Sequence, residues 1–494
     1  MLFSSYEFIF GFLPITLLAF HLARKYLGGR IALGIIVASS LFFYGWWNPL
    51  YLFLLVGSMI VNYAFARHLK KRSSAVTLCA GVAINLAVLG YFKYRNFFLE
   101  NVSNFTGHNW ELEPIFVPLA ISFFTFQQIA FLVDVRDGRA EVRNFLNYSA
   151  FVALFPQLIA GPIVLYREID EQFDKLISGK GSGLALFGPG LLIFAFGLFK
   201  KVALADSIAP YADAAFNLAD RLTFLEAWAG AIAYSLQLYF DFSGYADMAV
   251  GIGLMLGIIL PINFNTPFRA TTMVEFWKRW HITMTRFFMM YLYSPIALSI
   301  SRQVMERGYS GIPAFTLAIA IPIGLTFLLS GLWHGAAWTF VAFGAVNAVG
   351  LIINHAWRQA KLPPLPTVVS WFLTMTTVIV SFVYFRADSI ENAHAILLAM
   401  ATPQDIILPN WLAGFAVHVD LPWRTLNFFL SGTYTLRLTL WIGVLFIISI
   451  LPLNRTKAPE LITSSWSNAF LTAALLLISF GLIDRPQAFI YFQF

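Results

Sequence analysis

Charge is what this 494-residue chain has least of: Asp, Glu, Lys and Arg together make up 12% of it. A soluble globular protein carries roughly 25% charged residues, so the chain cannot cover a water-facing surface of ordinary composition. Cysteine is nearly absent, since Cys79 is the only one. It can form neither an intrachain disulfide nor a multi-cysteine metal site, and its apolar surroundings read as those of a buried structural thiol. No His-x-x-x-His pair occurs, which leaves metal chemistry without a motif. No Gly-x-Ser-x-Gly elbow occurs either, so a serine-hydrolase reading has nothing to stand on. There is no soluble domain, no low-complexity tail and no internal repeat. The missing repeat weakens a transporter built from inverted halves.

What is present is apolar sequence, at 59% of residues, arranged in long runs. Residues 6–22, 31–47, 49–66 and 75–92 are nearly free of charge, and about 20 apolar residues suffice to cross a bilayer core. Further runs lie near 114–133, 147–165, 183–199, 225–262, 287–301, 313–333, 336–356, 367–385, 438–453 and 467–483. No ten-residue alternation points to a barrel, so the spanning element is the helix. The expected fold is an all-α polytopic membrane protein with about 11–14 transmembrane or re-entrant helices. It is read as one membrane-embedded domain over 1–494, with N-terminal helices in 1–100, a core in 114–360, and C-terminal helices and an aromatic tail in 367–494. The first run lacks a basic leader and a small-residue cleavage site, and reads as a membrane helix rather than a signal peptide.

Arg24, Lys25 and Arg30 follow the first run, and Arg67, Lys70, Lys71 and Arg72 follow the third. The turn at Trp47-Asn48-Pro49 carries no charge. The positive-inside rule then puts the N-terminus outside and both basic loops in the cytoplasm. The net charge of +7 is thereby a topological signal, and no nucleic-acid surface is expected. Asn101 and Asn104 fit a glycosylation pattern, which in such short loops reads as a chance match.

Polar residues inside apolar runs are costly and therefore informative. Gln237, Asp241, Ser243 and Asp247 fall within 225–262; Asp241 and Asp247 would share a helix face only if Ser243-Gly244 broke the helix. Two readings fit: a structural polar network, or a proton relay or substrate contact. Ser122, Thr125, Gln127, Gln128 and Asp134 punctuate 118–134 as interhelical hydrogen-bonding groups. Pro156 and the Gly161-Pro162 pair predict a broken or re-entrant helix. Over 268–288, Phe276, Trp277, Trp280, Met284, Phe287 and Phe288 recur at helical spacing, which predicts an amphipathic helix lying in the membrane interface. Its basic residues Lys278, Arg279 and Arg286 read either as plain interfacial anchors or as partners of a cofactor's phosphates. His334 lies in Gly331-Leu332-Trp333-His334-Gly335, between apolar runs with no charged loop. That puts it deep in the membrane or at the tip of a re-entrant hairpin. Spacing alone favours a satisfied core histidine; the flanking glycines allow close approach of another group, and imidazole can exchange a proton near neutral pH. His21, His68, His108, His355, His394 and His418 fall at segment ends or in loops, and no chemistry is assigned to them.

At these residues the chain resembles the membrane-bound O-acyltransferase family, in its bacterial alginate O-acetyltransferase branch. The resemblance runs through LAISFFTFQQIAFLVDV at 119–135, FPQLIAGPI at 155–163 and LFKKVALAD at 198–206. It continues through QLYFDFSGYADMAVGIG at 237–253, NFNTPF at 263–268, FWKRWHIT at 276–283 and SGLWHGAAWTF at 330–340. It implies helices around a central funnel or tunnel, with the acyl donor arriving from the cytoplasm. His334 matches the family's invariant histidine and would be the general base. His281 matches the second signature position, where relatives also carry asparagine, and would support it. The branch implies acetyl-coenzyme A as donor; Lys278, Arg279 and Arg286 are the candidates for its phosphates, and no metal is expected. It also implies a bacterial inner-membrane location and an extracytoplasmic partner, an SGNH-type acetyltransferase or similar protein that modifies a polysaccharide. The ending Phe489-Ile490-Tyr491-Phe492-Gln493-Phe494 resembles the aromatic tails of this branch and the tyrosine-bearing tail of a small partner protein in teichoic-acid D-alanylation. Tyr491 is therefore a candidate acyl acceptor, with an aromatic interface anchor as the alternative. A transporter or channel without covalent chemistry, and a D-alanyl or protein O-acyltransferase, are the competing functions.

Overall fold

A computed structural model describes residues 1–108, 110, 113–159, 161–181, 184–403, 436–451, 465–483 and 489–490. No strand occurs among them. Among the described residues, seven helices are long and apolar enough to cross a membrane: Glu7–Tyr26, Gly29–Trp47, Pro49–Lys71, Ala75–Thr106, Gly311–His334, Trp338–Gln359 and Thr367–Arg386. Ile390–Ala401, Thr439–Ile450 and Trp466–Leu482 are shorter apolar helices. Several of the other runs expected as membrane segments form broken or shorter helices. The 147–165 run divides into Phe145–Ala153 and Phe155–Leu158. Leu154 leaves the helical region there (ψ 105°), and Pro156, in the first turn of the second helix, has no N–H to extend the first.

The chain forms two compact units, Met1–Val202 with Phe242–Ile262 and Arg455–Gln493, and Ala203–Asp241 with Asn263–Asn454. The first unit holds the first four candidate spans. Asn48 caps the third of these by accepting from the Leu50 N–H at 2.9 Å. Interhelical amides hold the spans together where lipid offers no hydrophobic drive. Asn85 donates to Asn62 at 2.6 Å. Gln128, fully buried on the Ile121–Arg136 helix, donates to Ser58 at 3.2 Å and accepts from Tyr148 at 2.9 Å. Asp134 pairs with Arg139 at 3.2 Å.

The Phe224–Met255 helix runs unbroken through Ser243-Gly244, so Asp241 and Asp247 do not share a helix face. Gly244 serves close packing instead. A Cβ there would come within 2.7 Å of the Gly197 carbonyl oxygen, and one on Gly251 within 2.6 Å of that of Gly190. The Phe187–Phe199 helix therefore lies backbone to backbone against residues 244–251. Lys200, just beyond its end, pairs with Asp247 at 2.5 Å. Replacing Lys200 by Met should lower the thermal midpoint by the equivalent of about 3 kcal/mol, because the Asp247 carboxylate is left buried alone. The double variant Lys200→Met/Asp247→Leu should recover most of that loss. Equal melting of single and double variants would contradict the pairing.

In the second unit the Ile321–His334 and Trp338–Gln359 helices form a hairpin joined by Gly335-Ala336-Ala337. The two helices touch at glycines: a Cβ on Gly331 would meet the Phe340 carbonyl oxygen at 2.1 Å, and one on Gly344 that of Phe327 at 2.3 Å. The Thr367–Arg386 helix packs beside the hairpin.

Candidate active site

His334 is the last residue of its helix, at the tip of this hairpin, and is 6% exposed. Three aromatic rings surround it: Trp333 at 4.7 Å between centroids, Phe385 at 5.1 Å and Phe343 at 5.6 Å. Gly335 is required beside it, since a Cβ there would fall 2.0 Å from the Phe340 ring. These rings shield the imidazole from water and fix its orientation.

The stretch expected as one interfacial helix over 268–288 is two short helices, Met273–Trp277 and Ile282–Phe288, separated by a turn. Phe276, Trp277, Trp280, Met284, Phe287 and Phe288 are all buried, so the aromatic face meets protein. The turn is made at His281, which adopts a left-handed conformation (φ 42°, ψ 52°) at a cost of about 1–2 kcal/mol for a residue with a Cβ.

Asn263 offsets that cost. Its carbonyl accepts the Ile282 N–H at 2.9 Å. Its side-chain oxygen accepts the Thr283 N–H at 3.2 Å and the Thr283 hydroxyl at 2.9 Å. The same oxygen lies 3.1 Å from His281 Nδ1. A backbone N–H can only donate, so this atom is the amide oxygen, and Nδ1 must carry the histidine's proton. Nε2 then presents a lone pair. Burial pushes the pKa of His281 down to about 3, so the ring stays neutral at physiological pH.

His281 and His334 share one neighbour. Trp333 stands 4.7 Å from the His334 ring and 6.1 Å from that of His281. The two histidines named from the motifs therefore converge on a single indole in the second unit. Asn263, which positions one of them, carries no signal of that role in the sequence, because the role exists only through tertiary hydrogen bonds. Asn263→Ala should reduce turnover to the same extent as His281→Ala, with the double variant no worse than either. Strictly multiplicative losses would show that the two act independently.

The other predicted residues are dispersed. Arg279 is committed to Glu275 at 2.8 Å and to the Asn265 carbonyl at 3.2 Å. Lys278 is exposed and has no side-chain partner among the described residues, while Arg286 is partly buried. Gln237 and Asp241 belong to the second unit and Ser243 and Asp247 to the first; all four are buried. Tyr491 lies outside the described residues, and its neighbours Phe489 and Ile490 are buried, with Phe489 packed 4.5 Å from the Tyr245 ring. No group of three or more His, Cys, Asp or Glu that could hold a metal occurs among the described residues.

A helical membrane body in which two buried histidines flank one indole is what these features define. The model of the membrane-bound O-acyltransferase family matches residues 139–392. Over 537 aligned positions the chain is 35% identical to a peptidoglycan O-acetyltransferase of Helicobacter pylori, covering 100% of this chain and 98% of the relative. It is 37% identical to a probable alginate O-acetylase AlgI of Azotobacter vinelandii, over 88% of this chain and 85% of the other. A teichoic acid D-alanyltransferase of Streptococcus thermophilus is 26% identical over 54% of this chain. The chain belongs to the membrane-bound O-acyltransferase family. It is a multi-pass membrane enzyme that transfers an acyl group from a donor substrate to a hydroxyl.

Proposed function

We propose that the enzyme takes an acetyl group from acetyl-coenzyme A on the cytoplasmic side of the bacterial inner membrane and passes it outward for O-acetylation of a polysaccharide. The observation that best supports a shared site is the contact of His281 and His334 with the same indole. The acceptor oxygen attacks the thioester carbonyl carbon and the carbon–sulfur bond breaks. His334 takes the hydroxyl proton and returns it to the departing thiolate. Neutral His281, its Nδ1 proton engaged by Asn263, offers Nε2 to orient the acceptor hydroxyl. Of the three basic residues considered for the donor's phosphates, Arg279 is already engaged by Glu275 and the Asn265 carbonyl.

The relatives named for alginate and peptidoglycan acetylation support a polysaccharide as the final acceptor. An SGNH-type extracytoplasmic partner would complete the transfer. The basic loops after the first and third spans support an N-terminus outside. The decisive assay supplies labelled acetyl-coenzyme A to one face of proteoliposomes and measures label delivered to the other. Solute movement with no thioester cleavage would instead establish a transporter.

Tyr491 is proposed as the first acceptor within the chain, on the resemblance of its aromatic ending to the tails of the alginate O-acetyltransferase branch. Mass spectrometry of the C-terminal peptide under turnover should find an added acetyl group, and Tyr491→Phe should lack it. An unmodified tyrosine together with a fully active Tyr491→Phe enzyme removes Tyr491 from the path.

A further inference from the structure

The second unit contains a cavity of about 210 Å³ between the two short helices at 273–288 and the 321–359 hairpin. Its walls are apolar, with Met284, Phe288, Ile323, Phe327 and Leu351 among them. Neither His281 nor His334 is among the described residues that line it. Two polar groups face a shortage within this apolar setting. Trp277, 3% exposed, has an indole N–H with no hydrogen-bond partner, and the buried Thr285 hydroxyl has none. A buried donor left unmatched costs about 1–3 kcal/mol, and both residues line the cavity, so an acceptor held beside them there would lower that cost. The cavity is not sealed, because Met289, which also lines it, is 49% exposed. At the same opening Lys278 carries an exposed ammonium that meets no partner among the described residues.

We propose that this cavity binds one acyl chain of an anionic phospholipid, with the ester oxygens accepting from Trp277 and Thr285 and the phosphate meeting Lys278. Three features favour a lipid over the acyl donor. Most of the lining is apolar and the Thr326 hydroxyl already donates to the Pro322 carbonyl, whereas a pantetheine arm carries two amides that need partners. The donor's thioester must reach the paired histidines, which do not line the cavity. The helices that build it also present bare apolar side chains elsewhere: Leu325 is 44%, Leu329 46% and Ile353 56% exposed. These belong to two candidate spans, so a chain can enter from the bilayer.

The test uses the full-length protein in nanodiscs containing phosphatidylglycerol with a photoreactive group in one acyl chain, and, separately, phosphatidylcholine with the same chain. Label should concentrate on peptides covering 273–293 and 321–359, more strongly with the anionic lipid. Leu351→Trp, which fills the cavity, should remove it. Lys278→Gln should reduce it about fivefold, the effect of losing roughly 1 kcal/mol of binding. If Leu351→Trp is not monodisperse, Ile323→Trp fills the same space. Label spread evenly over lipid-facing helices and unchanged in the filled variants overturns the proposal. So does selective loss of cavity label on adding acetyl-coenzyme A, which would assign the space to the donor.

Discussion

His334→Ala should lose acyl transfer by about 10²–10⁴-fold, the range expected when a positioned general base is removed, while the protein still inserts and stays monodisperse. The expectation rests on the position of the ring. Trp333, Phe343 and Phe385 enclose it, so no bulk water stands ready to take the proton in its place. The assay is thioester cleavage coupled to label transfer in proteoliposomes, with donor affinity measured alongside. A loss confined to turnover is the signature of a proton-transfer role; a loss confined to donor affinity would mean that His334 only lines the donor's path. Full transfer by a folded His334→Ala enzyme would place the chemistry elsewhere. His281→Ala should be the milder variant, since the role proposed for that ring is to orient the acceptor and not to exchange a proton.

Gly331→Ala is expected to be nearly as damaging by a wholly different route. The added methyl would sit 2.1 Å from the Phe340 carbonyl oxygen, and backbone cannot swing aside as a side chain can. The hairpin must open, at about 1–3 kcal/mol for overpacking of this kind. His334 stands one turn further along the same helix, so its rings would separate with the hairpin. Both the thermal midpoint and turnover should fall. Gly324→Ala supplies the control, because a Cβ there has nothing within 4 Å. It should melt at or slightly above the parent temperature, given alanine's higher helix propensity. Identical behaviour of the two variants would show that close approach of the helices does not hold the site together.

The sequence made some of this legible and concealed the rest, for physical reasons. The runs 6–22, 31–47, 49–66 and 75–92 stand out because charge is nearly excluded from them, and each falls on a long helix. The divided helix near 154 could be anticipated because proline removes a donor at a known position. By contrast, an aromatic pattern at helical spacing over 268–288 cannot distinguish a lipid interface from a protein interior, since both accept the same face. Nor does it register a turn: His281 in a left-handed conformation is imposed by Asn263, eighteen positions away in sequence. Gly244 was similarly ambiguous, because a glycine within an apolar run can break a helix or admit a neighbour. His334 itself could be singled out as chemical only through its motif; its own spacing would have left it an ordinary core histidine.

The seam where Gly190 and Gly197 meet Gly251 and Gly244 has a thermodynamic consequence. Lipid tails are as apolar as the helices they surround, so this pair gains little from expelling solvent and relies on dispersion and weak Cα–H···O contacts at short range. Attraction of that origin carries almost no hydration heat capacity. Its strength should therefore change little on cooling, and little between detergents of differing chain length. Parts of the molecule that shield apolar surface from water should weaken in the cold. The 187–199 and 244–251 segments are then the portion expected to remain joined longest during extraction from the bilayer.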